Sequence, residues 1–265
     1  MSPTPPEYIL HIGLHKTGTT SFQAVMHNHR AAFLAQGIDP FQTPRGISSG
    51  RAKHGDLAFA AMRSGVLDQR PGDLLHGVDQ QALFESTRAA IASHVAASTC
   101  TRFLFSTEAL SLLRTPDELS RLKALFPPGP ATFSAVLALR EKEAWLASYT
   151  NHMVKSGVTP ATDPASAYYL RGDNWLTDFD GLVATWRAGC DSLVTLHYDP
   201  EDMVGNLAGA MGVTLDFNTR AYRRNVSPRN PHVMRLPRLI LRRVLGSEDE
   251  GLRRRLRAIR ERWTL

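Results

Sequence analysis

The sequence predicts one α/β domain, in which helices cover both faces of a central parallel β-sheet. Short apolar runs, of the kind found in buried parallel strands, alternate along the chain with amphipathic segments of helical period. No linker-like stretch divides the 265 residues, and a content of 43% hydrophobic and 21% charged residues is ordinary for a globular protein. We therefore expect a single domain over residues 1–265, with a basic helical tail at 230–265 that packs on it or extends from it.

The individual elements follow from local patterns. Strands are predicted where apolar runs are short, at 8–13, 37–41, 102–106, 133–139 and 193–198. Helices are predicted where apolar residues recur at helical spacing, at 20–36, 56–62, 80–97, 116–126, 173–188 and 201–211, with one more after Arg140 that runs to 155. Residues 42–51, rich in Gly, Ser, Pro and Thr, are predicted to form a loop.

The net charge and the cysteines limit the ligands and the environment. A net charge of +6 and a pI near 9.6 favour anionic ligands, without choosing among a nucleotide, an acidic polysaccharide, RNA and a lipid surface. Cys100 and Cys190 form no C-x-x-C pair, which is typical of free thiols in a reducing compartment. The N-terminus lacks a signal-peptide pattern, and no window has the length of a membrane span. We expect a cytoplasmic protein.

A phosphate-binding loop is predicted where the first strand meets the first helix. Glycines let the backbone approach an anion, N–H groups at a helix start point toward it, and a lysine adds a compact positive charge. The segment departs from the P-loop pattern G-x-x-x-x-G-K-[ST], because Lys16 precedes Gly18. The candidate anion contacts are His15, Lys16, Thr17, Gly18, Thr19, Thr20 and Ser21.

A second phosphate site is predicted at the end of the fourth strand. Arg140 closes that strand, and Ser148 follows about two turns into the next helix. A guanidinium fork and a hydroxyl suit a phosphate, although a surface arginine beside a core Trp/Tyr stripe is the alternative interpretation. Glu141 places a carboxylate beside Arg140, so it must point away from any phosphate.

Together the two motifs resemble those of sulfotransferases that use 3'-phosphoadenosine 5'-phosphosulfate (PAPS), of the bacterial kind similar to carbohydrate sulfotransferases. That family binds the 3'-phosphate with a strand-end arginine, a serine eight residues on and then a tyrosine, and Arg140, Ser148 and Tyr149 stand at that spacing. The resemblance implies a single domain with a P-loop-like core, PAPS as the donor, PAP as the product, and in-line sulfuryl transfer without a metal.

The resemblance also implies a basic loop that closes over the cofactor near the C-terminus. Arg223 and Arg224 stand in that region, but the lysine–glycine pair often found there is absent. A solvated run of charges is an equally good interpretation of these two arginines.

Two residues are candidates for the base that takes the acceptor proton, beside Lys16 as the group that offsets charge on the leaving phosphate. Glu108 follows a predicted buried strand, and glycan sulfotransferases of the family have a glutamate after the corresponding strand. His54 is expected in an acceptor loop, and a histidine has a suitable intrinsic pKa for base catalysis near neutral pH. We prefer Glu108 because ligands of open α/β sheets bind at strand ends.

The predicted function is therefore transfer of a sulfuryl group from PAPS to a hydroxyl, with a carbohydrate or a glycolipid as the expected acceptor. The acceptor pocket is expected from the loops at 42–56 and 157–174. A P-loop-type small-molecule kinase is one alternative, which the displaced Lys16 and the lack of acidic pairs at strand ends disfavour. A non-catalytic nucleic-acid-binding protein that uses the basic tail is the other, and peripheral membrane contact by that tail stays open.

Overall fold

A computed structural model describes residues 4–42, 54–67, 78–155, 160–166 and 168–222 of the chain. The predicted fold class is confirmed, because five parallel strands form one sheet that is flanked by helices. All five predicted strands are present, with ends that differ from the predicted ones by at most one residue. They are β1 (Glu7–Gly13), β2 (Ile38–Pro40), β3 (Arg102–Thr107), β4 (Thr132–Leu139) and β5 (Ser192–His197).

The helices in the described ranges match the predicted segments with three differences, one of which is the short helix Ser64–Leu67, which no predicted segment covers. The predicted helix 20–36 is broken at His29, and the predicted helix 173–188 starts later, because Asp178 caps it by accepting from the Gly181 N–H. The α-helices are α1 (Thr19–Asn28), α2 (Arg30–Leu34), α3 (Gly55–Ala61), α4 (Ser64–Leu67), α5 (Gln80–Ala97), α6 (Pro116–Lys123), α7 (Lys142–Lys155), α8 (Phe179–Gly189) and α9 (Met203–Ala210). Short 3₁₀ helices cover Glu108–Leu112, Trp175–Thr177 and Thr219–Ala221.

The strand order places a ligand crevice beside β1. The order is β2-β3-β1-β4-β5, and every neighbouring pair is parallel. The chain first builds β2 and β3 on one side of β1, and then crosses to build β4 and β5 on the other. The direction of winding therefore reverses between β1 and β4. In open α/β sheets, ligands bind at the carboxyl ends of the strands at such a reversal.

The two faces of the sheet bury separate apolar clusters. Alternate residues of β1 face opposite sides, so Tyr8 and Leu10 join the larger cluster, while Ile9 packs with Phe22 in the smaller one. His11 lies on the same face as Ile9, and its ring meets the edge of Phe22 at 5.1 Å between centroids. Helix α1 therefore covers the face of β1 that carries His11.

Some predicted features lie outside the described residues. These are Arg223, Arg224, the tail at 230–265, and residues 43–53, 157–159 and 167 of the two expected acceptor loops. The described residues all fall in one compact unit, Met1–Arg224, and a single domain for the whole chain stays a prediction. Across the described ranges, none of the helices combines the length and the apolar character that crossing a bilayer requires.

Candidate active site

The loop between β1 and α1 has an unusual backbone. Lys16 has a φ of 71°, in the left-handed region that residues with a Cβ seldom occupy, and Gly18 has a φ of 86°. A left-handed conformation costs a non-glycine residue roughly 1–2 kcal/mol, and such strain concentrates at ligand-binding turns. The buried Thr17 hydroxyl donates to the Leu14 carbonyl at 2.6 Å and so closes the turn from inside.

The start of α1 forms an open cradle. Gly18 is the N-cap and has no side chain to cap the helix, and the Ser21 N–H already donates to the Gly18 carbonyl at 2.9 Å. The N–H groups before Ser21 have no acceptor within the helix itself. Thr19 is 4% exposed, and its Oγ1 has no hydrogen-bond partner. A Cβ at Gly13 would collide with this hydroxyl, so only glycine lets the strand end lie this close to it. The cradle thus combines a buried hydroxyl that has no partner with the start of a helix that has no side-chain cap, which is an arrangement suited to an anion.

The predicted second phosphate site is attached directly to this loop. The Arg140 Nη1 donates to the Lys16 carbonyl at 3.3 Å, and the Trp145 indole N–H donates to the His15 carbonyl at 2.9 Å. Tyr149 stacks on Trp145 at 4.9 Å between ring centroids, and its ring also meets His15. The end of β4 and helix α7 therefore hold the loop in place from the side where the strand order reverses.

Tyr198, Glu141 and Ser148 complete the surroundings of Arg140. The guanidinium of Arg140 lies over the Tyr198 ring, 4.9 Å from its centroid, so its planar face is held while its edge carries the donors. Glu141 is exposed, and its carboxylate accepts from the N–H groups of Glu143 and Ala144 at 3.1 and 2.8 Å. The carboxylate beside Arg140 is therefore occupied as a helix cap. Ser148 lies half-buried on α7, two turns after Arg140.

Glu108 lies where the sequence predicts it, at the carboxyl end of β3. It is half-buried and begins the 3₁₀ helix that follows the strand, with Thr107 as the cap. The Gln23 amide of α1 donates to its Oε2 at 3.5 Å and to the Ser106 carbonyl at 3.1 Å. Since β3 neighbours β1, Glu108 lies on the opposite side of the Lys16 loop from Arg140.

The predicted position of His54 is wrong. We expected it in an acceptor loop, but its side chain is 0% exposed and lies between Phe41 and Phe105 in the core. Its Nδ1 accepts the Ser106 N–H at 2.8 Å. The pairing of β2 with β3 ends at Leu104, so β2 does not reach Ser106. Burial lowers the pKa of His54 to about 3. The ring therefore extends the hydrogen bonding of the sheet, in place of the short strand β2.

The sequence interpretation missed several residues of this site. Gln23 and the contact between Gly13 and Thr19 gave no signal, because each depends on how α1 packs on the sheet. The role of Trp145 had a partial signal, since it lies one turn before Ser148 on the same helix. Met203 of α9 packs against Gly18, and a Cβ there would approach its Cγ to 3.3 Å. In the described part of the chain, no three His, Cys, Asp or Glu side chains are grouped to hold a metal ion.

Comparisons with known proteins give weak structural similarities. No protein-family profile matches the chain, and no curated protein matches its sequence. The fold is similar to a sulfotransferase from Alicyclobacillus acidocaldarius, with 14% identity over 95% of this chain and 99% of that chain and a TM-score of 0.40. It is also similar to retinol dehydratase in complex with androsterone and the inactive cofactor PAP, with 15% identity over 83% of this chain and 63% of that chain and a TM-score of 0.32. A shikimate kinase from Bacteroides thetaiotaomicron matches with 12% identity over 78% of this chain and 98% of that chain and a TM-score of 0.33. These TM-scores are too low to carry an argument about function.

Proposed function

We propose that this protein transfers the sulfuryl group of PAPS to a hydroxyl of an acceptor and releases PAP. The observation that carries the proposal is the junction of two anion sites at the crevice between β1 and β4. The side chain of Arg140 reaches the Lys16 carbonyl, so a ligand in the cradle has a second cationic group beside it. A donor with phosphates at both its 5' and 3' positions needs two such sites, whereas ATP has no 3'-phosphate to place.

The cradle fits the phosphosulfate end of the donor. Its unpaired features are the open start of α1, the buried Thr19 hydroxyl, and the close approach that Gly13 allows. When bound there, PAPS supplies an activated sulfuryl group and a phosphate leaving group. The N–H groups from Gly18 onward would bind the 5'-phosphosulfate, with the hydroxyls of Thr19, Thr20 and Ser21 nearby.

Lys16 and Arg140 have different tasks in this proposal. The ammonium of Lys16 offsets the negative charge that develops on the departing phosphate, which matters most in the transition state. Arg140 and Ser148 bind the 3'-phosphate and so fix the position of the donor. Arg223 and Arg224 are proposed to close over that phosphate from the C-terminal side.

Glu108 is the proposed base. It lies at the end of β3, the strand beside β1, and is only half-buried, as a base that meets an acceptor hydroxyl must be. His54 is the weaker candidate, because its ring is buried and its Nδ1 already accepts a backbone N–H. We propose a carbohydrate or glycolipid hydroxyl as the acceptor and the cytoplasm as the location of the protein.

The test of the cofactor assignment is a comparison of PAP and AMP by titration calorimetry. PAP should bind more tightly by roughly 10- to 150-fold, because a charge-assisted hydrogen bond to the 3'-phosphate contributes about 1.5–3 kcal/mol. Arg140→Ala should remove most of this preference and leave AMP binding nearly unchanged.

Arg187→Ala is the matched control, because Arg187 is an exposed arginine at the end of α8. This variant should keep the full preference for PAP. Equal affinities of the wild-type protein for PAP and AMP would refute the assignment of PAPS as the donor.

A further inference from the structure

A group of buried polar side chains lies beneath Glu108, on the face of the sheet that α1 covers. We call His11, Gln23 and Ser106 the Gln23 bracket. The Gln23 amide nitrogen donates to both the Ser106 carbonyl and the Glu108 carboxylate, at 3.1 and 3.5 Å. The Nδ1 of His11 pairs with the Ser106 hydroxyl at 2.8 Å. Side chains from β1, α1 and β3 therefore meet next to Glu108.

Folding stability alone does not explain the bracket. His11 and Gln23 are 0% and 2% exposed, yet the His11 Nε2 and the Gln23 Oε1 have no hydrogen-bond partner. Buried polar atoms without partners destabilise a fold compared with apolar atoms of the same shape. A leucine or methionine at these positions would fill the same space without that cost, so the polar groups point to a role at the site.

We propose that Gln23, held by Ser106 and His11, is a positioning residue for the Glu108 carboxylate. The inference rests on the proposed function, in which Glu108 is the base. The carboxylate begins a short 3₁₀ helix and is only half-buried, so it has several rotamers available. The amide of Gln23 binds one of its oxygens, Oε2, and so restricts the orientation of the carboxylate.

The electrostatics of His11 agree with a positioning role. Burial lowers the pKa of His11 to about 4, although the nearby charge of Glu108 acts in the opposite direction. His11 is therefore neutral near pH 7 and does not form an ion pair with Glu108. A neutral bracket orients the carboxylate while leaving its negative charge to attract the acceptor proton.

The test follows the titration of Glu108 itself, which needs no substrate. Protein labelled with ¹³C at the glutamate carboxyl carbons is titrated by NMR, and the Glu108 signal is assigned by its loss in Glu108→Gln. Gln23→Met removes the donor and keeps the volume, so the titration midpoint of Glu108 should move up by about half a pH unit. Gln23→Glu should move it further, because two carboxylates then share the site.

Gln81→Met is the matched control. Gln81 donates to Glu85 at 3.0 Å on the exposed surface of α5, so this variant removes an equivalent Gln–Glu contact away from the site. Its Glu108 midpoint should equal that of the wild-type protein. Turnover of ³⁵S-labelled PAPS with a mixture of glucose, galactose and N-acetylglucosamine is measured on the same samples.

We expect Gln23→Met to lower kcat by roughly 10- to 100-fold while KM for PAPS stays close to the wild-type value, because misplacing a catalytic group affects the chemical step. A Glu108 midpoint that Gln23→Met leaves unchanged would overturn the inference. An unchanged kcat would do the same. If Gln23→Met shifts the Glu108 midpoint but the wild-type protein transfers no sulfuryl group from PAPS, the proposed function alone would be overturned.

Discussion

The two sides of β1 are built differently at their carboxyl ends. On the β4 side, side chains from a neighbouring strand and helix bind backbone carbonyls of the loop, as Arg140 does at Lys16 and Trp145 at His15. On the β3 side, side chains also bind one another, as His11 does at the Ser106 hydroxyl and Gln23 at the Glu108 carboxylate next to the loop. The first side holds the backbone of the loop, and the second side, in our proposal, orients the carboxylate of Glu108.

The difference also appears in the charge of each side. The β4 side carries Lys16 and Arg140, while the β3 side has Glu108 above the buried His11, whose pKa is lowered to about 4. In the proposed function, the β4 side attracts the anionic donor and the β3 side supplies the base. Variants on the two sides should thus fail in different ways.

The largest effect is expected from Glu108→Gln. This change keeps the shape and hydrogen bonding of the side chain but removes its basicity, so turnover should fall about 10²–10⁴-fold while PAP affinity hardly changes. Steady-state rates with the sugar mixture and PAP calorimetry measure the two quantities.

His54→Asn is the matched comparison for Glu108→Gln. An asparagine oxygen can still accept the Ser106 N–H that His54 Nδ1 now accepts, so turnover should stay near the wild-type value. A large loss of turnover in His54→Asn beside a normal Glu108→Gln would mean that His54, and not Glu108, is the base.

The second effect is expected from Lys16. Lys16→Ala should lower turnover by roughly 10²–10³-fold, more than it weakens PAP binding, because its charge acts mainly on the transition state. Lys16→Gly should lose turnover equally, but its free energy of unfolding should be at least that of Lys16→Ala, because glycine adopts the φ of 71° without strain.

Lys123→Ala serves as the control for the loss of one lysine, because Lys123 lies over the Phe133 ring near the amino end of β4. It should leave turnover unchanged. Wild-type turnover in Lys16→Ala at saturating PAPS would mean that Lys16 only binds the donor.

The β4 side could be predicted from the sequence better than the β3 side, for a physical reason. The Lys16 loop and the spacing of Arg140 and Ser148 are local patterns, since each lies within one strand–loop–helix unit. Gln23 and Ser106 lie 83 positions apart in the chain, so no local pattern reports their contact. The position of Glu108 was predictable as a strand end, but the groups that hold it were not.

His54 shows the same limit from the opposite direction. Its neighbours in sequence are polar and glycine-rich, which is typical of a loop, and this local pattern led to the wrong position. What decides its burial is the shortness of β2, which leaves the Ser106 N–H without a strand partner and available to the ring. That demand arises only in the assembled sheet.

The smallest effect concerns stability on the β3 side. The pKa values of His11 and His54 are lowered by burial to about 4 and about 3, so both rings are neutral in the folded protein above these values. In the unfolded chain a histidine takes up its proton near pH 6.5, so the unfolded state binds more protons as the pH falls below that value. The free energy of unfolding should therefore fall by about 2–3 kcal/mol between pH 7 and pH 5.5. Urea unfolding at several pH values measures this change.

His54→Asn should reduce this change by about half, since one of the two buried rings is then missing, whereas replacing the exposed His27 by asparagine should leave it unchanged. The same pH dependence in all three proteins would show that the buried histidines do not control stability in this range.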